Sequence, residues 1–450
     1  MYVKTVANSG GAECVSAPPP ALKISKTLQG YNVLRISGGI EDTGEGLQWH
    51  LVLSLFLAWL LVFLCLIKGV KSLGKVVYVT ALLPYILFVA FLIRGLTLPG
   101  SANGIIYYLT PDFSRLHHPQ VWLQAAIQVF FSLGPAWGGV ITMSSYSNFH
   151  DNCLKTAFFV SLCEGMTSFI FGFAVFATMG FMAEELGVSV ESVATSGPGI
   201  VFITYPEAIS KLPLPQLWAV LFFIMMITVG LDTEFGMFET LSSGFIDAFP
   251  KTLSKRKTLT VGIITAVFFL MGLPFTTRAG MYIYQLIDWY SAAFCLILGA
   301  LLESLVIGWF YGAERFSRDV ELMTGSGVPI PVRFCWCIFC PLTLFIVFIC
   351  LLATYQAPVY GTYEYPAWST GLGFFIGLLP GIPVPVLMIK ELLTKDGSLK
   401  ERLSQALEPA SDWVPIEAKH VQAYRQRQVP NPASIWDKIK LNLLGPDSIY

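Results

Sequence analysis

The sequence predicts an all-α membrane protein, a bundle of nine transmembrane helices. Its 450 residues are 54% hydrophobic and only 13% charged, whereas soluble domains carry about 25% charged residues. A helix crosses the hydrocarbon core with roughly 20 mostly apolar residues. Lipid offers backbone groups no partner, and continuous apolar runs favour helices over barrel strands. The nine runs are 49–67, 76–97, 120–143, 154–182, 215–246, 258–285, 290–312, 332–354 and 367–390.

The same composition excludes several classes of function. With 28 basic and 29 acidic residues the net charge is -1, so there is no electrostatic footprint for nucleic acid. The sequence contains no Gly-rich phosphate loop and no nucleophile elbow, so we expect neither ATP-driven transport nor an enzyme. The predicted environment is the lipid bilayer.

Lysine and arginine in alternate loops set the predicted orientation. Basic residues follow the first, fifth and seventh runs, so these loops share the cytoplasmic side. The acidic connection 183–214 and the loop 355–366 lie outside. We expect a multi-pass membrane protein with a helical bundle at 49–390, a segment at 1–48 on the outer side and a cytoplasmic tail at 391–450.

The two ends of the chain carry further signals. Residues 1–48 are polar and lack the apolar h-region of a signal peptide, so we expect a truncated product or an incomplete gene model. In the tail, Ser398 and Glu401 have capping-box spacing, which predicts one short helix near 398–407 in an otherwise solvated segment.

The third run contains helix-breaking residues. Gly134, Pro135, Gly138 and Gly139 favour an unwound segment, which membrane proteins tolerate where backbone lines a cavity or binds a ligand. A proline kink packed against neighbouring helices is the alternative, and the break alone does not decide between them.

The fifth run places a carboxylate in mid-membrane. Asp232 and Thr233 offer hard oxygens that suit a small cation, and a carboxylate at this depth is functional by default. The carbonyl of Val229 would join them if hydrogen bonding loosens near Gly230. The alternative is an ion pair with a basic residue on another helix.

Besides Asp232 and Glu234, three acidic residues fall inside predicted spans. Glu164 lies one helical turn before Ser168. For Glu239 and Glu303 we favour a protonated or hydrogen-bonded carboxylate inside the bundle.

Several stretches resemble the neurotransmitter:sodium symporter family of sodium- and chloride-coupled transporters. They are FSLGPAWGG at 131–139, SYSNFH at 145–150, GPG at 197–199 followed by YPEA at 205–208, GLDT at 230–233 and YPAW at 365–368. Within the family, AWGG at 136–139 and VLRISGGIE at 33–41 are most similar to glycine transporters.

The resemblance implies an incomplete inverted-repeat symporter fold, from a family that is itself a standard example of ion sites at the membrane midplane. The first run matches the family's fourth helix, so we expect the first three helices to be missing and 1–48 to be a remnant of the second extracellular loop. The implied activity is sodium-driven symport of a small neutral amino acid, preferably glycine, by alternating access.

The resemblance also implies roles for individual residues. The sodium ligands would be Ser132, Val229, Asp232 and Thr233, and we add Glu164, which lies at a position that the family uses near the first sodium. The residues near chloride would be Gln128, Ser132 and Ser168. The substrate would contact Phe131, Ser132, Leu133, Gly134 and Trp137. The gates would include Asp288 on the outside and Tyr146 and Asp247 on the inside.

Glu164 departs from the family, which usually has Asn at this position. A fixed anion there could neutralise bound sodium in place of chloride, because opposite charges about 4 Å apart interact by about 4 kcal/mol at an effective dielectric of about 20. We expect a full-length relative with this Glu to show weakened chloride dependence. A drifted, non-functional copy is the alternative, and the chloride requirement stays open.

Three readings of the chain as a whole remain. It is a fragment of a glycine-type symporter, or a truncated isoform that does not transport but modulates full-length symporter subunits. A channel-like pore is the third.

Overall fold

The computed structural model describes residues 33–44, 46–67, 70–193, 200–360, 363–410, 413–426 and 434–448. Its helices, numbered in chain order, are α1 (Trp49–Leu66), α2 (Val70–Leu96), α3 (Ser101–Leu109), α4 (Pro119–Leu133), α5 (Gly139–Ser144), α6 (Cys153–Leu186), α7 (Val190–Val193), α8 (Tyr205–Ser210), α9 (Pro215–Ala248), α10 (Pro250–Leu253), α11 (Lys257–Gly272), α12 (Gly280–Tyr290), α13 (Leu296–Leu305), α14 (Ala313–Thr324), α15 (Ile330–Phe334), α16 (Cys340–Ala353), α17 (Ala367–Leu378), α18 (Pro383–Thr394), α19 (Leu399–Ala406), α20 (Ala418–Gln426) and α21 (Ile435–Leu444). Strands β1 (Val359–Tyr360) and β2 (Tyr363–Glu364) pair antiparallel, with Val359 opposite Glu364.

Seven helical segments among the described residues are long and apolar enough to cross a membrane. A bent pair, Ala367–Gly381 with Pro383–Thr394 at 44°, brings the number to eight if it forms one span. The remaining predicted run, 120–143, is divided between α4 and α5. The prediction of an all-α membrane bundle is confirmed, whereas nine unbroken spans are not found in this part of the chain.

The predicted C-terminal boundary of the run 258–285 is wrong. A 3-10 turn over Leu273–Thr276 follows α11, and a new helix begins at Gly280. Pro274 in that turn lacks the N–H that a continuing helix requires. The new helix, α12, continues through a π-helical turn into α13, so the boundary predicted near 285–290 lies inside a helix.

Glycines allow α3 to lie directly against α6. A Cβ on Gly104 would lie 1.8 Å from the carbonyl oxygen of Phe176, and one on Gly180 would lie 2.5 Å from the carbonyl oxygen of Gly100. Only glycine fits such a close approach of two helix backbones. This contact fixes the C-terminal half of α6, the helix that carries Glu164.

Two contacts join loops that are predicted to lie on the same side of the membrane, and 'outer end' and 'inner end' name these predicted sides. At the outer end the hydroxyl of Tyr282 donates to the carbonyl of Ser37 at 2.8 Å, which joins the segment 33–44 to α12. At the inner end His150 Nδ1 lies 3.1 Å from the carbonyl oxygen of Met323, which joins the loop after α5 to α14. This grouping agrees with the predicted sides of the membrane, and which end faces the cytoplasm stays a prediction.

A buried ion cluster holds the inner end together, formed by Glu314, Arg318 and Arg333. Arg333 Nη1 lies 2.5 Å from Glu314 Oε2, and Arg318 Nε lies 2.8 Å from Glu314 Oε1. The Glu314 side chain is 1% exposed and that of Arg333 is 8% exposed. A buried charge is tolerated when it is paired and hydrogen-bonded, and both oxygens of Glu314 meet that condition.

The carboxy-terminal helix α21 docks onto this inner end. The side-chain oxygen of Asn442 accepts a hydrogen bond from the backbone N–H of Glu314 at 3.3 Å. It therefore caps α14, whose own N-cap residue, Gly312, has no side chain that could accept a hydrogen bond.

The short helix predicted near 398–407 is confirmed as α19, with both hydrogen bonds of its capping box. The tail is not simply solvated, because Asn442 is 2% exposed.

Candidate ion and substrate site

The predicted third span is broken by an unwound segment. α4 ends at Leu133, α5 begins at Gly139, and residues 134–138 between them are not helical. Gly134 and Gly138 have φ values of 62° and 77°, and Ala136 also lies in the left-handed region at 61°. A non-glycine residue there is uncommon and marks a backbone held by its surroundings. The prediction of an unwound segment is confirmed over that of a simple kink.

Glu303 lies on α13 beside the unwound segment. Its carboxylate is near the backbone N–H of Ala136, and a Cβ on Gly299, one turn before Glu303, would lie 2.9 Å from the Cβ of Ala136. A broken helix leaves amide groups without intrahelical partners, and each must be satisfied at membrane depth. The interpretation of Glu303 as a hydrogen-bonded interior carboxylate stays a prediction, with the Ala136 amide as its candidate donor.

Glu164 lies beside the end of α4 and accepts two hydroxyl bonds. The Ser132 hydroxyl donates to Glu164 Oε1, and the Ser168 hydroxyl donates to the same oxygen at 3.0 Å. Among the described residues no lysine or arginine lies within ion-pair distance of this carboxylate. Three residues that the sequence assigned to sodium or chloride therefore form one oxygen cluster without a balancing positive charge.

Asp232 forms a second cluster of hard oxygens, on α9. Its Oδ1 accepts a hydrogen bond from the Thr80 hydroxyl on α2. The condition for a Val229 ligand, looser hydrogen bonding near Gly230, is not met: α9 is continuous through this point, and the Val229 carbonyl accepts a hydrogen bond from the Thr233 hydroxyl at 3.2 Å. One glycine inside a long helix lowers its stability by only about 1 kcal/mol, which is too little to break it. The alternative of an ion pair for Asp232 finds no support in the described part of the chain.

Two aromatic side chains face each other across the break. The rings of Phe131 and Trp137 meet edge to face, with centroids 6.1 Å apart. Both are exposed, whereas Leu133 and Gly134 between them are half-buried. The geometry fits an aromatic lid and side wall, and their contact with a substrate stays a prediction.

The gate residues are dispersed. The Tyr146 hydroxyl donates to Glu239 Oε1 at 2.9 Å and lies 3.0 Å from the Ser243 hydroxyl. Glu239 is 7% exposed, so its interpretation as a hydrogen-bonded interior carboxylate is confirmed. Asp247 and Asp288 are exposed, and no hydrogen bond to either is found among the described residues.

The break approaches α9 at one point. A Cβ on Gly138 would lie 2.9 Å from Thr240 Cγ2, two helical turns after Asp232. No hydrogen bond joins the Glu164 and Asp232 clusters in the part of the chain that is described. Gln128 lies one turn before Ser132 on α4 and is exposed, and its role near chloride stays a prediction.

Sequence reasoning missed Thr80. A threonine in an apolar run is unremarkable, because its hydroxyl can bond its own helix. Its partner Asp232 is 152 residues away, so no local pattern reveals the pair. One signal could have suggested the contact: Thr80 is a hydroxyl residue in one predicted span and Asp232 is a carboxylate in another, so each could supply the other's hydrogen-bond partner.

A comparison with known proteins gives this geometry a context. A model of the sodium:neurotransmitter symporter family matches residues 20–395. The chain is 42% identical over 390 residues to the sodium- and chloride-dependent glycine transporter 2 of Xenopus laevis, covering 87% of this chain and 49% of that protein. It is 42% identical over 384 residues to the sodium- and chloride-dependent GABA transporter 2 of Rattus norvegicus, covering 84% and 64%. It is 41% identical over 391 residues to the sodium- and chloride-dependent glycine transporter 1 of Xenopus laevis, covering 86% and 62%.

The chain thus spans between 49% and 64% of the length of these relatives. The family match covers most of the chain and includes both oxygen clusters and the broken helix. The chain belongs to the sodium:neurotransmitter symporter family.

Proposed function

We propose that the protein serves sodium-coupled symport of a small neutral amino acid, preferably glycine, across the plasma membrane. The observation that carries this proposal is the pair of half-buried carboxylates, Glu164 and Asp232, that contact hydroxyl groups and no basic side chain among the described residues. A cation is a suitable partner for such groups at membrane depth when they are ionised.

In this proposal the two clusters hold sodium as a co-transported ion. Asp232 supplies a carboxylate oxygen and Thr233 a hydroxyl, both hard donors suited to a small cation. Ser132 and Glu164 supply the second donor set at the end of α4. The Val229 carbonyl contributes only if the Thr233 hydroxyl turns away from it, because that hydroxyl now donates to it.

The unwound segment 134–138 supplies the substrate side of the site. Backbone amides and carbonyls that leave a helix suit the two charged ends of an amino acid. The edge-to-face pair Phe131 and Trp137 occupies volume beside that segment, which favours a small substrate. The names of the relatives give glycine or GABA as their substrates. The bulk of Trp137 favours glycine, which is the smaller of these two molecules.

Uptake by a full-length family transporter that carries these site residues tests the proposal. Liposomes that contain it and have an inward sodium gradient should accumulate labelled glycine over labelled GABA, and replacing sodium by choline should abolish accumulation. Trp137→Ala should shift the preference toward GABA by about tenfold if this ring limits substrate size. Equal uptake in sodium and choline would contradict the proposal.

A second candidate is association with a longer symporter subunit, which the chain would modulate without transporting. The specific support is the exposure of Gln128, Ser132 and Ser168 at the level of a predicted span. Polar groups at this depth avoid lipid, so another protein surface is a suitable cover. Co-purification with a tagged family transporter, together with altered uptake by that transporter, would favour this candidate over the first.

A further inference from the structure

Thr80 lies on α2 one helical turn before Pro84. Pro84, four residues later, has no N–H, so the Thr80 carbonyl lacks the usual intrahelical donor. The Thr80 hydroxyl has two acceptors within reach, the Val76 carbonyl at 3.1 Å and Asp232 Oδ1 on α9. Thr80 is half-buried, and its neighbours Val76 and Val77 pack against a core that includes Phe235 of α9.

A hydroxyl has one proton, so only one of these acceptors receives it at a time. A bond to an ionised carboxylate is roughly twice as strong as a bond between neutral groups. The Val76 carbonyl is the weaker competitor, because it is neutral. With Asp232 ionised, the proton of Thr80 therefore belongs to Asp232 Oδ1.

This bond fixes which carboxylate oxygen remains available. Oδ1 is tied to α2, and Oδ2 has no hydrogen-bond donor among the described residues. The carboxylate would otherwise rotate about its terminal bond, whose preferences are broad. Thr80 therefore holds Asp232 in the orientation that offers Oδ2 to a cation.

We propose that Thr80 is a positioning residue for sodium: it orients Asp232 without touching the ion and links the cation site to α2. The inference rests on the proposed function, because it assigns sodium to Asp232. It adds a residue on a different helix, one that the sequence patterns did not assign to the site.

Sodium titrations of the purified full chain in detergent test this role. The readouts are the sodium-dependent rise in melting temperature and equilibrium binding of labelled sodium, with choline as the counter-salt. Thr80→Val removes the hydroxyl and keeps the shape, and should raise the half-saturating sodium concentration about tenfold. Thr80→Ser keeps the hydroxyl and should stay within about twofold of the wild type.

Thr265 provides a matched control. Its hydroxyl donates to the Val261 carbonyl of its own helix at 2.9 Å, and no carboxylate contact to it is found among the described residues. Thr265→Val should therefore bind sodium as the wild type does. If Thr80→Val is not monodisperse, Thr80→Ala takes its place in the comparison with Thr80→Ser.

The results distinguish failure of the Thr80 role from failure of sodium binding itself. Wild-type sodium binding in Thr80→Val, or equal losses in Thr80→Val and Thr80→Ser, would overturn the role of the hydroxyl alone. A wild-type chain that binds no sodium would overturn the proposed function and this inference with it.

Discussion

Glu314 at the inner end and Asp232 in mid-bundle are both carboxylates withdrawn from water, but their partners differ. Two arginines contact Glu314, at 2.5 and 2.8 Å, and its side chain is 1% exposed. Asp232 is half-buried and accepts the hydroxyl of Thr80. Glu164 resembles Asp232, with two serine hydroxyls on one oxygen.

The difference separates structural charges from functional ones. An ion pair satisfies a buried carboxylate permanently, and removing one partner leaves an uncompensated charge. Hydroxyl groups stabilise a carboxylate without neutralising it, so negative charge remains for a mobile cation. The inner-end ion cluster therefore stabilises the fold, whereas Asp232 and Glu164 keep the negative charge that the proposed sodium sites require.

The largest expected effect is at the inner-end ion cluster. Glu314→Gln leaves Arg333 buried without its carboxylate and should lower the free energy of unfolding by about 3–5 kcal/mol. Glu321 is the matched control: it pairs with the same Arg318, but its side chain is 42% exposed. Glu321→Gln should cost no more than about 1 kcal/mol. Thermal unfolding in detergent measures both, and equal losses would show that burial of Glu314 has no special cost.

An intermediate effect is expected for the chloride requirement at Glu164. In the wild type, replacing chloride by gluconate should change the half-saturating sodium concentration by less than about twofold. Glu164→Gln removes the fixed anion, so the same replacement should then raise it more than about tenfold, because attraction between opposite charges in this environment is worth several kcal/mol. Labelled-sodium binding measures both. A wild type that loses sodium binding in gluconate would contradict the role assigned to this carboxylate.

The smallest effect is expected where the tail caps α14. Asn442→Ala removes the acceptor of the Glu314 N–H and should lower the free energy of unfolding by about 1 kcal/mol. Asn442→Asp keeps an acceptor oxygen but places a second negative charge beside Glu314, so it should not restore full stability. An unchanged melting temperature in Asn442→Ala would show that α21 docks without this cap.

The sequence alone predicted those features that lipid imposes locally. Long apolar runs in lipid must form helices. Gly134, Pro135 and Gly138 predicted the unwound segment, because their backbone preferences oppose a helix. It also identified Asp232 and Glu164, because a carboxylate inside an apolar run is costly and therefore conspicuous.

The features that escaped prediction depend on distant pairing. Thr80 and Asp232 are 152 residues apart, and Glu314 and Asn442 are 128 apart. Packing, which no local pattern encodes, decides both of these pairs.

The boundary after α11 escaped for a different reason. Pro274 and the polar residues Thr276, Thr277 and Arg278 mark the turn. Apolar residues resume at Met281, however, so the two apolar stretches look like one run.

Equilibrium binding of labelled sodium to the purified full chain, compared between the wild type and Asp232→Asn, tests the central claim most directly. The account predicts saturable binding in the wild type and at least about a tenfold loss of affinity in Asp232→Asn. Glu234→Gln changes a half-buried carboxylate two residues away on the same helix and should leave binding intact. Undiminished binding in Asp232→Asn, or equal losses in the two variants, would contradict the assignment of sodium to Asp232.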